Sequence, residues 1–259
     1  MDISTILGLL LAIIAIVLGV GNGFGSIIDT KSFFITVVGS LGGVFIAHPK
    51  SRSFKLFNVI MEAFKEPKID NISTLKTLYS FAEKARRDGM IALEEDIANI
   101  EDEFIKDGLR AAVDGTDPEE IRKILEIKME LYEEEETTKI SVLDSWAAFA
   151  PAYGMIGTLI GLILLTKDLN DPTTVGPNMS IALVTTLYGS LVANILAQPP
   201  AEKLKKRVSK QVNMKRMSME GILSIVQGEN PRLMEEKLKA FLNNEERTSY
   251  EKEKGSQEV

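Results

Sequence analysis

Apolar residues along this chain gather into four blocks that alternate with charged sequence. The blocks are Ile3–Val20, Phe33–Ala47, Trp146–Leu165 and Met179–Ala197, and none contains Asp, Glu, Lys or Arg. A helix needs about 20 apolar residues to cross a bilayer, with a lower limit of about 17. The first, third and fourth blocks reach that length, and the second does so when counted from Thr30 to His48. The first block is not read as a cleaved leader, because Asp2 stands where a basic segment is expected and no A-x-A site follows. Four membrane helices are expected.

Between the blocks the period is helical. Leu75, Leu78, Tyr79 and Ala82, then Ile91, Leu93, Ile97, Ile100 and Phe104, recur at three- and four-residue steps, predicting helices over Asn71–Asp88 and Met90–Lys106. Gly89 separates them, and Thr116-Asp117-Pro118-Glu119-Glu120 is a start signal for a helix predicted to end in Glu133–Glu136. Glu202–Gln227 reads as a continuation of the fourth membrane helix, kinked or restarted at Pro199-Pro200. No useful β-alternation occurs, so the class is all-α: a polytopic membrane protein with four transmembrane helices and a helical cytoplasmic domain. The predicted organisation is membrane helices one and two in residues 1–48 and a cytoplasmic helical domain over 49–145. Helices three and four follow in 146–198, then a cytoplasmic helical extension over 199–243 and a disordered tail over 244–259.

Charge refines this picture. The turns Gly21–Ser32 and Thr166–Asn178 carry only Asp29 and Lys31, and Lys167, Asp168 and Asp171. By contrast Lys50, Arg52 and Lys55 follow block two, and Lys203, Lys205, Lys206, Arg207 and Lys210 follow block four. Basic residues stay on the cytoplasmic side, so both termini and both hydrophilic segments are expected there. The net charge of -7 and scattered basic residues argue against a nucleic-acid binder. Without cysteine, and with His48 the single histidine, disulfides, thiolate or His-pair metal sites and cysteine nucleophiles are excluded. No Walker-type loop, nucleophile motif or metal cluster is present, so no enzyme, catalytic residue, metal or cofactor is expected.

Small residues form stripes on the blocks: Gly8, Ala12, Ala15 and Gly19 on the first, Gly39, Gly43 and Ala47 on the second. Such stripes let membrane helices approach closely. On block three Pro151, Gly154, Thr158 and Gly161 share a face. On block four Ala182, Thr185, Gly189 and Ala193 do, with Thr186 and Asn194 at its edge. Two uses fit this pattern. Hydroxyl and carbonyl oxygens suit a partly dehydrated cation or a proton-carrying water, and Pro151 frees a carbonyl one turn earlier. Alternatively the threonines back-bond to their own helices and the prolines only bend them. Ion-driven machines place an ionisable side chain in the membrane, and these spans have none, so either no ion moves or a partner supplies the carboxylate.

Several motifs together resemble the flagellar motor stator subunits of the MotA/PomA family. They are Pro151-Ala-Tyr-Gly-Met-Ile-Gly-Thr-Leu-Ile-Gly161, Gly176-Pro-Asn-Met179, Ala182-Leu-Val-Thr-Thr-Leu-Tyr-Gly189, Pro199-Pro-Ala-Glu-Lys203, and Arg86-Arg-Asp-Gly89 followed by Leu93-Glu94. The resemblance runs from Met1 to about Gln227. It implies an inner-membrane subunit, five copies of which surround two copies of a single-span partner, MotB or PomB, whose Asp receives the ion. Ion flow would turn the ring and push the rotor protein FliG. The match implies an ion pathway at Thr158, Thr185 and Thr186, conformational coupling at Pro151 and Pro199, and rotor binding at Arg86 and Glu94. Pro200 departs from the family, where an apolar residue commonly follows the proline. The hydroxyl set favours transported sodium over protons. The competing readings are an ExbB/TolQ-like energy-transducing subunit, which has three spans, and a non-conducting membrane scaffold.

Overall fold

Asp2 opens the first span by accepting from the Thr5 backbone N–H, and the helix α1 (Ile3–Val20) that follows buries none of its side chains. In the computed structural model, which describes residues 2–66, 69–167 and 170–257, every regular element among the described residues is helical. Four helices are long and apolar enough to cross a membrane: α1, α2 (Thr30–Ala47) and parts of two very long ones introduced below as α6 and α7. The chain divides into two compact units, Met1–Pro67 with Glu136–Lys206, and Lys68–Glu135 with Arg207–Val259.

The first unit holds the spans. After α2 a short turn leads to α3 (Leu56–Ala63), whose Leu56, Val59 and Ala63 are buried. Residues 49–66 and 136–145 therefore group with the membrane helices rather than with a cytoplasmic domain over 49–145. The amphipathic spacing of α3 gives it a face to bury although it is too short to span. The second unit has its own core, in which Leu75, Leu78, Leu93, Leu109, Ile121, Leu125 and Ile222 are almost fully buried. It comprises α4 (Asn71–Asp88), α5 (Glu103–Val113) and the non-apolar parts of α6 (Pro118–Lys167) and α7 (Pro172–Val226), followed by α8 (Pro231–Lys239) and α9 (Asn244–Gln257).

Local chemistry sets most of the boundaries. Asp70 caps α4 through the Ser73 N–H at 2.9 Å, and Asp102 caps α5. Gly89 ends α4 at φ 88°, a left-handed value that a side chain resists. The segment expected as one helix over Met90–Lys106 is instead a 3₁₀ turn, a short helix Glu94–Ala98 and the start of α5. Asn99 ends the short helix, and Asp102 caps the start of α5.

Two helices run on past their expected ends. Glu133–Glu136 does not terminate α6, which continues unbroken for 50 residues to Lys167, because no glycine or proline stands there to stop it. At 1.5 Å per residue that is about 75 Å, more than twice a hydrocarbon core of about 30 Å. Pro199-Pro200 does not restart α7 either. The five- and six-residue π-helical stretches Phe34–Val38 and Val192–Ala197 lie inside α2 and α7. The second lies just before the prolines, where the carbonyls of Ile195 and Leu196 lose their usual partners, and the Gln198 N–H that follows it reaches back five residues to the Ala193 carbonyl.

The tail expected to be disordered is the helix α9. Glu235 of α8, 2 % exposed, accepts from Lys254 at 2.7 and 2.8 Å and from the Tyr250 hydroxyl at 3.1 Å, and pairs with Lys239 at 3.3 Å. Asn71 donates to Glu246 at 3.0 Å, and Lys76 pairs with Glu253. A polar sequence thus docks through the buried Tyr250 and a set of charged bonds centred on the buried Glu235. Burial alone would raise the Glu235 pKa, but the bonds from Lys254, Lys239 and Tyr250 outweigh it and hold the carboxyl below its usual range. A lowered carboxyl pKa stabilises the fold above the unfolded value and loses that contribution as pH falls through the folded one. Docking of α9, read by hydrogen exchange, should therefore persist at neutral pH and fail only below the ordinary glutamate range of about 4. Glu235→Ala should release it at neutral pH, at a cost of about 1–3 kcal/mol, because the buried Tyr250 hydroxyl and Lys254 lose their acceptor while Lys239 keeps Glu236.

Candidate functional site

Glycines on α6 and small residues on α7 bring two backbones into contact. A Cβ on Gly154 would stand 2.9 Å from the Thr185 carbonyl oxygen, and one on Gly161 would stand 2.7 Å from the Ala182 nitrogen. On the other side, a Cβ on Gly189 would stand 2.6 Å from the Ala150 carbonyl oxygen. The stripes read on blocks three and four therefore face each other within this one chain.

The three threonines sit differently along this seam. Thr185 is fully buried, packed against Gly157, and its hydroxyl donates back to Ile181 at 2.9 Å and Ala182 at 3.1 Å. Thr158 and Thr186 meet at the open edge, their hydroxyl oxygens 2.6 Å apart. Thr158 also reaches the carbonyls of Gly154 at 3.1 Å and Ala182 at 3.0 Å, and Thr186 reaches that of Ala182 at 3.3 Å. The Ala182 carbonyl thus takes contacts from all three hydroxyls. Four oxygens, Thr158 Oγ1, Thr186 Oγ1, Ala182 O and Gly154 O, are gathered at a place where helix backbone is already satisfied. Such a cluster of neutral hard oxygens can share a cation but cannot neutralise it.

Pro151 lies within α6 next to the Gly189 contact, and Pro199 is exposed on α7 just after the π-helical stretch. Arg86 and Glu94, both exposed, stand on either side of Gly89 in the second unit. Arg86 lines a cleft of about 410 Å³ with Tyr79, Glu83, Arg87 and Arg232, a strongly basic rim. Glu94 opens a short helix with Glu95 and Asp96 in its first turn, and Asp96 pairs with Lys84 at 2.6 Å. Among the described residues no group of three or more His, Cys, Asp or Glu could hold a metal.

The structure adds positioning residues that were not singled out in the sequence. Ser32, Thr36 and Ser40, spaced by four on α2, are all fully buried. Thr36 donates to the Thr185 carbonyl at 3.3 Å, and Ser40 accepts from the Trp146 indole at 3.1 Å. His48 meets Ser145 at 2.7 Å. The Tyr188 hydroxyl donates to Ile27 O at 2.7 Å and accepts from the Asp29 N–H at 3.2 Å, clamping the turn that precedes α2. The four-residue spacing of hydroxyls in an apolar block was the available signal.

Four candidate membrane spans, two of which meet at a glycine-lined contact with an uncharged oxygen cluster at its edge, define a polytopic helical membrane protein. The MotA/TolQ/ExbB proton channel family matches residues 96–217. Motility protein A of Treponema phagedenis is 40% identical over 255 residues, covering 98% of each chain. The chemotaxis protein PomA of Vibrio alginolyticus is 34% identical over 94% of this chain and 96% of its own. The structure of the flagellar MotAB stator complex from Bacillus subtilis contains a chain that superposes with a TM-score of 0.87 at 30% identity, covering 95% of this chain and 98% of that one. The chain belongs to the MotA/PomA family of motility proteins.

Gly154→Val should force α6 and α7 apart, since the branched side chain would meet backbone rather than a flexible side chain. Overpacking of this kind costs about 1–3 kcal/mol. The expected result is a lowered melting temperature and less protein in the membrane fraction. Gly176→Ala, which would meet no atom within 4 Å, should leave both unchanged.

Proposed function

We propose that this chain is the membrane stator subunit of a bacterial flagellar motor, coupling ion flow to torque on the rotor. The observation that carries the reading is the Thr158–Thr186 oxygen cluster on two spans, Trp146–Leu165 and Met179–Ala197, that hold no Asp, Glu, Lys or Arg. Such a site can pass a cation only when a neighbouring chain brings the negative charge. In this reading that chain is a single-span MotB/PomB-type partner, and five copies of the present chain surround two of it in the inner membrane. Both termini lie in the cytoplasm, in line with the basic residues that follow the second and fourth spans. The coupler is mechanical rather than enzymatic.

The division of roles follows the geometry. Thr158 and Thr186, with the Ala182 carbonyl between them, offer oxygens to an ion carried by the partner's Asp. Thr185 shapes the same site from beneath, because its hydroxyl is turned into its own helix and its bulk holds the seam against Gly157. Pro151 and Pro199 sit where helix hydrogen bonding is already altered, so small changes of bend cost little there. Arg86 and Glu94 offer opposite charges on the exposed surface of the second unit, for charged residues of FliG. Sodium is the preferred ion, since it needs several oxygens whereas a proton needs only the carboxylate.

Deleting the gene should leave flagellar filaments in place but paralysed, with swimming restored by the gene on a plasmid. Swimming speed should then rise with sodium at fixed pH; normal swimming after deletion, with no second stator pair in the cell, would overturn the assignment. Thr158→Val and Thr186→Val should each stop rotation while the complex still assembles, measured by tethered-cell rotation and pull-down of the partner. A scaffold that conducts nothing would tolerate both.

A further inference from the structure

A groove of about 370 Å³ lies in the membrane unit between α1 and the stretch of α7 around Ile195–Lys203. Gly8, Leu9, Ala12, Ile195 and Pro199 line its length, and Ser4, Thr5 and Lys203 stand at one end. There Lys203 pairs with Asp2, bonds the Thr5 hydroxyl, and lies 3.4 Å from Ser4 Oγ. The first turn of α1 is also tied to the end of α3 by Asp2 N–H to Phe64 O at 2.9 Å. Beyond that turn α1 buries no side chain, and a Cβ on Gly8 would meet nothing within 4 Å.

We propose that this groove is a phospholipid site, taking one acyl chain along Gly8, Ala12 and Ile195 and the phosphate of an anionic headgroup at Ser4, Thr5 and Lys203. Its walls belong to two membrane spans, so the medium that meets them is hydrocarbon, and an unfilled groove would forfeit dispersion contacts. A helix with its side chains is about 10 Å across, too thick to enter this volume for more than about one turn, whereas a methylene chain fits along it. The polar end lies at the start of a span, the depth of headgroup phosphates. Lys203 and the exposed Lys206 one turn further on outweigh Asp2 by one positive charge. The Ser4 hydroxyl donates to Asp2 at 2.6 Å and that of Thr5 to the Ala63 carbonyl at 3.5 Å, so the attraction for a phosphate is that of the ammonium groups. The inference rests on the membrane spans alone and stands apart from the motor assignment.

The test uses the full chain co-purified with its single-span partner, in nanodiscs of phosphatidylcholine with a minor share of phosphatidylglycerol carrying a mid-chain diazirine. After irradiation, labelled peptides should concentrate around Gly8–Ala12 and Ile195 relative to Ile46, an exposed residue of α2. Gly8→Phe and, from the opposite wall, Ile195→Trp should each reduce that labelling several-fold. Lys203→Gln should reduce the preference for phosphatidylglycerol over a phosphatidylcholine probe about fivefold, the worth of one lysine at an anionic surface. Labelling that is even over all lipid-facing residues, or unchanged in both groove-filling variants, would overturn the proposal. So would disulfide formation between copies through Ala12→Cys, which would place a second copy in the groove.

Discussion

The membrane unit depends on one contact, the backbone-to-backbone approach of α6 and α7. Lipid tails are as apolar as leucine, so water does not drive two spans together, and close packing must do so. Gly154, Gly157, Gly161 and Gly189 remove the side chains that would hold the helices apart. The threonines are sorted by that approach. Thr185 falls inside the contact and spends its hydroxyl on its own helix, while Thr158 and Thr186 fall at the rim and find each other. Moving either backbone by a methyl group would undo both arrangements.

Hydrogen-bond accounting explains the long helices. A span has no water to satisfy loose backbone groups, so a proline inside it needs compensation nearby. In α7 a π-helical stretch stands just before Pro199-Pro200, and the helix runs on as far as Val226. Outside the spans the demands change. The second unit relies on buried leucines and isoleucines and on aspartate caps, as a soluble domain does, and adds the charge network around Glu235 to hold α9.

Charge is kept to the ends of the spans. Lys205 pairs with Asp144 at 2.8 Å, Lys139 with Glu62 at 2.6 Å, and Lys203 with Asp2. Burial would lower the Lys139 pKa, yet the bond to Glu62 and the charge of Glu136 raise it overall, so this lysine stays charged. Partly exposed pairs of this kind are worth about 0–1 kcal/mol each, and they pin helix ends more than they stabilise the fold. The blocks Trp146–Leu165 and Met179–Ala197 left between them carry no Asp, Glu, Lys or Arg.

Much of this was legible in the chain itself. Absence of charge over four blocks defined the spans, helical periodicity defined α4, and the motif at Thr116–Glu120 marked the start of α6, because each rests on neighbours within a few residues. The small and hydroxyl-bearing faces of blocks three and four were visible for the same reason. Periodicity could not say that those faces meet each other, or that Thr185 would be buried and Thr186 exposed, since adjacent residues differ only by where the partner helix lies. Nor could composition reveal α9, whose Tyr250 and Lys254 dock on a carboxylate fifteen and nineteen residues earlier. Local pattern determined which segments are helical and which can enter a membrane. Tertiary contact decided which hydroxyls stand at the open edge of the seam and which are buried in it, because that depends on how closely two helices approach.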